Sequence, residues 1–506
     1  MAGGFATGPA RASQYEGRVT VFVIFTCLLA ALGGALFGYD IGISGGVTSM
    51  DDFLVKFFPE VYARKHMNEP DDSHYCKYDN QKLAAFTSSL YIAGLVSTFG
   101  ASYTTRAYGR RITILIAGAS FLIGAGLNAG AMDIYMLIVG RLMLGVGVGF
   151  GNQAVPLYLS EMAPPKWRGG LNMTFQLATT LGIFFANLVN YGTQHIRVWG
   201  WRLSLGLAAV PAFVMFVGGL FVYETPNSLI ERGQAEKGKL VLTKIRGTQN
   251  VQAEFADLLE ASQIARTVTH PFANLLRKQN RPQLVMAFCL PIFQILTGIN
   301  SILFYAPVIF QALGFGSNAA LYSSVFTGGV MVLGSIITIG TVDRFGRRAL
   351  LITGGVIMSV CQVIIAILLA KFYSGDEALS KGLSIIVTLL ICFFVLGFAT
   401  SWGGLGWVVP SEIFPLEIRS AGQSVVVSVN LLFTFAIAQA FLSMLCGLKY
   451  GIFLFFAFWE AFMTIFVYLL LPETKDVPLE EMVYVWKAHW FWGRFLAADN
   501  PDSEKV

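Results

Sequence analysis

Ala-Tyr-Gly-Arg-Arg at residues 107–111 returns as Arg-Phe-Gly-Arg-Arg at residues 344–348, and this repeat decides how the chain is organised. Two more pairs follow at nearly the same separation: Ser160-Glu161 returns as Ser411-Glu412, and Glu224-Thr225 returns as Glu473-Thr474. Three matched pairs at one spacing indicate two parallel structural repeats. The basic loop residues could serve only to set the orientation of the chain in the membrane. That role does not explain why Gly, Ser and Glu also recur at matched positions.

The composition places most of the chain in lipid. Of 506 residues, 55% are hydrophobic and 13% are charged, whereas soluble proteins carry about 25% charged residues. The polar side chains are therefore too few to cover several water-facing domains. The formal charge of +5 is small for this length, so no nucleic acid partner is expected.

Twelve apolar stretches on the sequence are long enough to cross a bilayer, which takes about 20 residues. The repeat divides them into a first half at residues 20–222 and a second half at 283–471, joined by a polar linker of amphipathic helices at 223–282. Tails are expected at residues 1–19 and 472–506. The predicted spans cover residues 20–47, 83–104, 112–131, 134–157, 171–191, 203–222, 284–311, 320–340, 349–370, 383–409, 422–445 and 451–471. The sequence therefore predicts an all-α membrane protein with two six-helix halves.

The distribution of Lys and Arg predicts the orientation. These residues are about twice as frequent in the loops on the side of the linker as in the opposite loops, and cytoplasmic loops carry such an excess. The linker and both termini are therefore expected in the cytoplasm. Residues 51–80, between spans 1 and 2, then form an extracellular segment.

Charged residues inside the spans are the strongest indication of function, because a buried charge is costly in lipid. Asp40 lies in the middle of span 1 and Arg141 lies inside span 4. A mutual pair is expected, either as a proton carrier with its partner or as a permanent structural ion pair. Glu460 in span 12 is a third such group, with no partner visible in the sequence.

Amides and indoles in the spans suggest a site for an uncharged sugar. A carboxamide donates and accepts hydrogen bonds, as sugar hydroxyls do, and an indole face suits the C–H side of a sugar ring. The alternative is that the amides join helices and the indoles anchor them at the interface. Helix breaks are expected at Pro291 and at Gly403-Gly404. The candidates are Gln176, Gln294, Asn300, Trp402 and Trp407.

The repeated loop motifs predict a cytoplasmic latch. Arg and Glu at neighbouring helix ends can form bidentate pairs, and a network of such pairs outweighs an isolated one. We expect these pairs to hold the cytoplasmic side of the two halves closed and to break when the halves rock. The predicted latch comprises Arg110, Arg111, Glu161, Arg168, Glu224, Arg347, Arg348, Glu412, Arg419 and Glu473.

Two of the six cysteines flank extracellular segments. Cys76 and Cys446 could form a disulfide there, or both could remain free thiols, since counting does not settle pairing. The other four, Cys27, Cys289, Cys361 and Cys392, lie in spans as small apolar residues.

Several motifs together carry a family resemblance. The two Gly-Arg-Arg motifs and the stretches at 158–161, 224–226, 410–415 and 472–475 resemble the sugar porters of the major facilitator superfamily. Residues 45–50, 75–80 and 489–492 are similar to those of the plant sugar transport protein family of hexose:proton symporters. The resemblance covers about residues 15–495.

This resemblance implies the major facilitator fold and a plasma-membrane importer that works as a monomer. It implies that Asp40 accepts the proton with Arg141 as its partner, and that Cys76 and Cys446 bridge an extracellular lid to the second half. It also implies sugar contacts from Gln176, Gln294, Asn300 and the span 10 indoles.

The chain departs from the family pattern at four places in the second half. Ile295 stands where the family has a second Gln, and Met331 where it usually has Asn. Gly404 and Thr353 also differ from the expected residues. Each lost sugar-facing amide removes a hydrogen bond worth on the order of 1 kcal/mol.

The sequence thus predicts a proton-coupled importer of a monosaccharide, a hexose such as glucose, that works by alternating access. A non-transporting or altered-specificity member, acting as a sensor or a dominant-interfering form, is the alternative that Ile295 and Met331 favour. A facilitator without coupling is disfavoured by Asp40 and Arg141. No metal-ligand cluster, phosphate loop or nucleophile with its base is found, so neither an enzyme nor a cofactor or metal is expected.

Overall fold

The computed structural model describes residues 20–66, 76–164, 168–267, 271–312, 317–372, 380–414, 418–475 and 482–497. The regular secondary structure of these ranges is helical. Ten helical segments are long and apolar enough to cross a membrane by length and composition. The predicted N-terminal tail at 1–19 lies outside the described residues, and so do positions 476–481 and 498–506 of the C-terminal tail predicted at 472–506.

The first half contains spans 1 to 6, numbered as in the sequence prediction. They are formed by Val21–Ser49, Gln81–Ala107, Arg110–Ala129, Ile134–Met162, Arg168–Thr193, and the pair Gly200–Gly206 and Ala209–Phe221. Two of the predicted spans are not among these ten segments: span 7, which is divided into two short helices, and span 5, Arg168–Thr193. It carries three Asn and one Gln, which lower its hydropathy although it packs within the bundle.

The second half contains spans 7 to 12. They are formed by the pair Arg281–Leu296 and Ile299–Ala312, then Ser317–Phe345, Arg347–Phe372, the pair Lys381–Ala399 and Trp402–Ile413, Arg419–Leu448, and Gly451–Leu470. Shorter helices lie between and after the halves. They are Asp51–Phe57 and Pro59–His66 before span 2, Pro226–Glu231, Ala235–Arg246, Gln252–Thr267 and Pro271–Leu275 in the linker, and Met482–Ala488 and Trp492–Ala497 after span 12.

The breaks in spans 7 and 10 differ from the expected positions. The first helix of span 7 continues through Pro291 and ends at Leu296. The break falls instead at Gly298, whose φ of 80° is a conformation that residues with a Cβ rarely adopt. In span 10 the break falls at Thr400-Ser401, just before the predicted glycine pair.

Close contact between spans 1 and 5 depends on small residues. Gly34, Gly38, Gly42 and Gly46 recur every fourth residue along span 1, which places them on one face of the helix. A Cβ added at Gly38 would overlap the backbone of Thr179 in span 5. Small residues at this spacing let two membrane helices approach closely, and the span that carries Asp40 is thereby fixed within the first half.

Three pairs of helices form most of the contact between the two halves in the described part of the chain. Span 2 packs against span 11, span 5 against span 8, and span 1 against the second helix of span 7. Side chains also bond across this boundary. The Ser88 hydroxyl donates to Gln439 Oε1 at 2.6 Å, and Asn187 Nδ2 donates to the Ser324 carbonyl at 3.0 Å.

A disulfide joins Cys76 to Cys446, so the first of the two alternatives for these cysteines is confirmed. It ties the segment before span 2 to the end of span 11. The two short helices of the same segment pack on the first half, where the Phe53 ring lies 5.3 Å from Phe86 and 5.8 Å from Trp201. Within residues 51–80, positions 67–75 lie outside the described part.

Candidate functional site

Asp40 and Arg141 meet in the interior of the first half. Their side chains are 2% and 0% exposed, and Arg141 Nη1 lies 3.9 Å from Asp40 Oδ1. Neither carboxylate oxygen of Asp40 has a hydrogen-bond partner among the described residues, and neither do Nε and Nη1 of Arg141. The predicted pair is therefore present as two facing side chains without a shared hydrogen bond.

Two residues that the sequence prediction missed hold Arg141 in place. Its Nη2 donates to the Ser44 hydroxyl at 2.9 Å, and Ser44 Oγ in turn donates to the Asp40 carbonyl at 2.6 Å. The guanidinium also lies over the Phe86 ring, 4.2 Å from its centroid. A desolvated cation over an aromatic face is stabilised by about 2 kcal/mol. Ser44 stands four residues after Asp40 on the same helix face, a spacing that could have identified it.

Gln294 connects three spans of the second half. Its Nε2 donates to the carbonyls of Trp402 and Gly403, at 2.9 and 3.2 Å, and its Oε1 accepts from Asn430 Nδ2 at 3.0 Å. Both amide hydrogens of Gln294 are thus used within the protein. Asn430 in span 11 was missed by the sequence prediction, because a lone Asn in a span resembles the amides that join helices.

Gln176 of the first half lies beside the part of span 10 that Gln294 contacts. It lies in span 5 against the helix of span 10, where a Cβ built on Gly403 would stand 3.3 Å from Gln176 Nε2. Gly403 also receives the Gln294 hydrogen bond. The structure therefore places two of the predicted sugar amides, one from each half, around the start of Trp402–Ile413.

The predicted indoles occupy different positions. Trp402 is 0% exposed, and its Nε1 donates to the Leu351 carbonyl of span 9 at 3.0 Å. The indole N–H is therefore bonded within the second half in this conformation. Trp407 and Asn300 are half-buried, and a sugar contact by these three residues stays a prediction.

The four departures from the family pattern lie in different surroundings. Ile295 and Met331 are both 2% exposed, and Ile295 belongs to an apolar cluster with Leu296 and Ile437. Gly404 faces Met173 of span 5. Thr353 is exposed, and its hydroxyl donates to the Ala349 carbonyl of its own helix at 3.0 Å. Of the four, Gly404 is the one for which a contact with the other half is described.

The Gly-Arg-Arg motifs build the same arrangement in each half. Gly109, with a φ of 100°, ends the turn into span 3, and the Glu224 carboxylate accepts the backbone N–H groups of Arg110 and Arg111 at 2.9 and 3.2 Å. Arg110 pairs with Glu161 at 2.8 Å and with Glu231 at 2.9 Å. A carboxylate at a helix N-terminus satisfies N–H groups that have no partner within the helix.

The second half repeats this geometry. Glu473 accepts the backbone N–H groups of Arg347 and Arg348 at 2.9 and 3.0 Å, and the Arg347 side chain pairs with Glu412 at 2.8 Å. The Thr474 hydroxyl donates to Glu412, as the Thr225 hydroxyl does to Glu161 in the first half. The two copies confirm at atomic level the repeat that the sequence motifs indicate.

The expected latch between the halves is corrected by these contacts. None of the ion pairs described for the latch residues joins the two halves: each lies within one half, within the linker, or between the first half and the linker. Arg111 and Arg348 bond instead to carbonyls at the ends of spans 6 and 12, Leu220 at 2.6 Å and Tyr468 at 2.5 Å. The reason is that each half satisfies its own unpaired helix ends. The side chains of Arg168 and Arg419 lie outside the described part of the chain.

Two six-helix halves with a buried charge pair in one and polar amides where they meet define a membrane transport protein of the major facilitator fold. A solved structure agrees: the proton:xylose symporter XylE, bound to 6-bromo-6-deoxy-D-glucose, matches with a TM-score of 0.78 and 25% identity, over 93% of this chain and 100% of that one.

Sequence comparisons identify the family. The family described as "Sugar (and other) transporter" matches residues 26–486. Sugar transport protein 7 of Arabidopsis thaliana is 65% identical over 100% of this chain and 99% of its own length. Sugar carrier protein A of Ricinus communis is 62% identical over 98% of this chain and 95% of its own length. The chain therefore belongs to the sugar transporter family, which confirms the resemblance carried by the motifs. It is a multi-pass membrane transporter and not an enzyme.

Proposed function

We propose that this chain is a proton-coupled hexose importer of the plasma membrane that works by alternating access, with both termini in the cytoplasm. The observation that carries the proposal is the Asp40–Arg141 pair, fully buried in the first half and separated by 3.9 Å. An acid held beside a permanent cation inside the membrane suits the uptake and release of one proton. The 25% identical XylE is named as a proton:xylose symporter.

The partners of Arg141 suggest how a proton acts on the first half. While Asp40 is charged, it attracts the guanidinium; once Asp40 carries a proton, that attraction is lost. Arg141 then retains the Ser44 hydroxyl and the Phe86 ring as partners. Protonation can thereby change the force between spans 1 and 4 without leaving a buried cation unsolvated.

The sugar is proposed to bind between Gln176 of the first half and Gln294 of the second, with Asn300, Trp402 and Trp407 completing the site after a rearrangement. Both amide hydrogens of Gln294 are engaged with span 10 carbonyls, so sugar hydroxyls would replace internal hydrogen bonds. Such an exchange links sugar binding to the position of the span 10 helix. The extracellular route would run between the two halves, where the pairs of spans are in contact. These contacts would open when the cytoplasmic route closes, and close when it opens.

Uptake of labelled glucose in yeast cells without their own hexose carriers tests the proposal. We expect accumulation that increases as the external pH falls and is lost when a protonophore is added. Uptake that a protonophore does not change would contradict coupling. An absence of uptake, for glucose and for a panel of other monosaccharides, in cells that display the protein at their surface would contradict import.

A further inference from the structure

Glu460 of span 12 is a buried acid that the proposed proton pathway does not use. Its side chain is 0% exposed, and no cation among the described residues lies within ion-pair distance of it. Oε1 accepts a hydrogen bond from Gln362 Nε2 at 3.0 Å, whereas Oε2 has no partner in the described part of the chain. An unpaired charge at this depth would be costly, so the neutral acid is the form that suits the site.

Gln362 of span 9 uses both of its amide hydrogens. One goes to Glu460 and the other to the Thr297 carbonyl at 2.9 Å. The amide cannot be flipped, since its oxygen would then face the Thr297 carbonyl, which can only accept a hydrogen bond. Glu460 therefore accepts the second amide hydrogen of Gln362 and holds the side chain in place, and Gln362 supplies the hydrogen bond to the Thr297 carbonyl.

Thr297 stands at the break of span 7. The helix Arg281–Leu296 ends just before it, and Ile299–Ala312 begins just after Gly298. A carbonyl at a helix end lacks a partner within its helix, and Gln362 supplies one here. The ring of Phe456, four residues before Glu460, packs against Gly298 so closely that a Cβ added there would stand 2.7 Å from it. Span 12 thus holds the break by a polar and an apolar contact.

The break connects the two parts of the proposed site. The Thr297 hydroxyl donates to the Gln294 carbonyl at 2.7 Å, which places the break three residues from a predicted sugar amide. On its other side, Ile299–Ala312 packs against span 1, the span that carries Asp40. A movement of this short helix relative to Arg281–Leu296 would therefore act on both the sugar site and the proton span.

We propose that Glu460, acting through Gln362, holds the break of span 7 and so controls how readily its second helix moves during transport. Glu460 is a positioning residue, and its hydrogen-bonding capacity matters whereas a charge does not. The part of this inference that concerns transport rests on the proposed function. The part that concerns the rigidity of the break does not.

Hydrogen exchange in the purified protein tests the rigidity of the break. Glu460→Leu and Gln362→Leu should each speed exchange in peptides covering residues 296–304 by about fivefold or more, since each removes a hydrogen bond. Glu460→Gln keeps an acceptor for Gln362 and should exchange like the parent. Gln283→Leu, which replaces another buried amide of span 7, is the matched control and should leave these peptides unchanged. The double variant Glu460→Leu/Gln362→Leu should be no worse than either single variant.

Initial rates of glucose uptake test the role in transport. Glu460→Leu should lower kcat about fivefold or more with a change in KM below about twofold, and Glu460→Gln should stay within about twofold of the parent in both. Parent-like exchange in Glu460→Leu, or a Glu460→Gln variant as impaired as Glu460→Leu, overturns the inference. If Glu460→Leu does not fold, Gln362→Leu and Glu460→Gln decide the same question. If the parent takes up no sugar, the proposed function fails. The hydrogen-exchange experiment then decides by itself whether Glu460 and Gln362 hold the break of span 7.

Discussion

Arg141 lies 3.9 Å from Asp40 and donates its hydrogen bond to Ser44 instead. The guanidinium is thus within electrostatic reach of the acid but is not bound to it. Such an arrangement differs from a permanent structural ion pair, in which both partners would share hydrogen bonds. It suits an acid that gains and loses a proton while its neighbour keeps other contacts.

Replacing Asp40 with Asn should abolish accumulation driven by a proton gradient and leave exchange of internal for external sugar largely intact. The amide cannot carry a proton through the cycle, but it preserves the size of the side chain. Uptake and counterflow in proteoliposomes measure the two activities. Asp133→Asn is the control, since Asn can still cap span 4 at that position. Continued proton-driven accumulation by Asp40→Asn would show that the proton binds elsewhere.

Phe86→Leu should reduce proton-driven uptake roughly tenfold, because the loss of a desolvated cation–π contact of about 2 kcal/mol leaves Arg141 less well held. The pH dependence of uptake should shift, whereas the KM for sugar should change little, since Phe86 is buried between Phe53 and the Arg141 guanidinium. Phe121→Leu, at an equally buried position of span 3, removes the same volume. Equal pH profiles for the two variants would rule out a role of the ring in holding Arg141.

Ile295→Gln combined with Met331→Asn should lower the KM for glucose by about tenfold or more if both restored amides reach the sugar, at about 1 kcal/mol for each hydrogen bond. Both positions are buried, so an amide without a partner would instead destabilise the protein. Concentration-dependent uptake by the double variant and by each single variant separates these outcomes. A higher KM together with a lower melting temperature would place the two positions outside the sugar site.

Glu224→Gln and Glu473→Gln should each lower the melting temperature, because each carboxylate accepts two backbone N–H groups at the start of a span. Hydrogen bonds to a charged acceptor contribute about 1.5 to 3 kcal/mol. Since Glu224 caps a helix of the first half and Glu473 caps a helix of the second, the shifts should add in the double variant. Thermal unfolding of the purified single and double variants measures the shifts in melting temperature. A double variant no less stable than one single variant would indicate that the clusters act together across the halves.

Removing the disulfide through Cys76→Ser and Cys446→Ser should destabilise the purified protein by about 2 to 4 kcal/mol, as is typical of native disulfides. A reducing agent should lower the melting temperature of the parent towards that of the double variant and leave the double variant unchanged. Cys289→Ser, at a thiol outside the disulfide, is the control. If the reducing agent lowered both melting temperatures equally, another group would be responsible.

The helix breaks show where sequence patterns stop being informative. Pro291 predicts a break because proline removes a backbone donor, yet the helix continues to Leu296. Gly298 provides the break because the described part of span 7 adopts a positive φ at this residue, where the Phe456 ring packs alongside. Nothing in the neighbouring residues specifies that ring, which comes from span 12.

The sequence by itself determined the spans, the two halves and the charges that must lie in lipid. Each of these depends on a local property, such as the length of an apolar run or a repeated motif, and local properties are readable along the chain. Only the tertiary structure decided which partner each buried polar group takes. Gln294 bonds to Asn430, 136 residues away, and Glu460 to Gln362, 98 residues away. Such pairings depend on the rotation and depth of packed helices, which a single sequence does not specify.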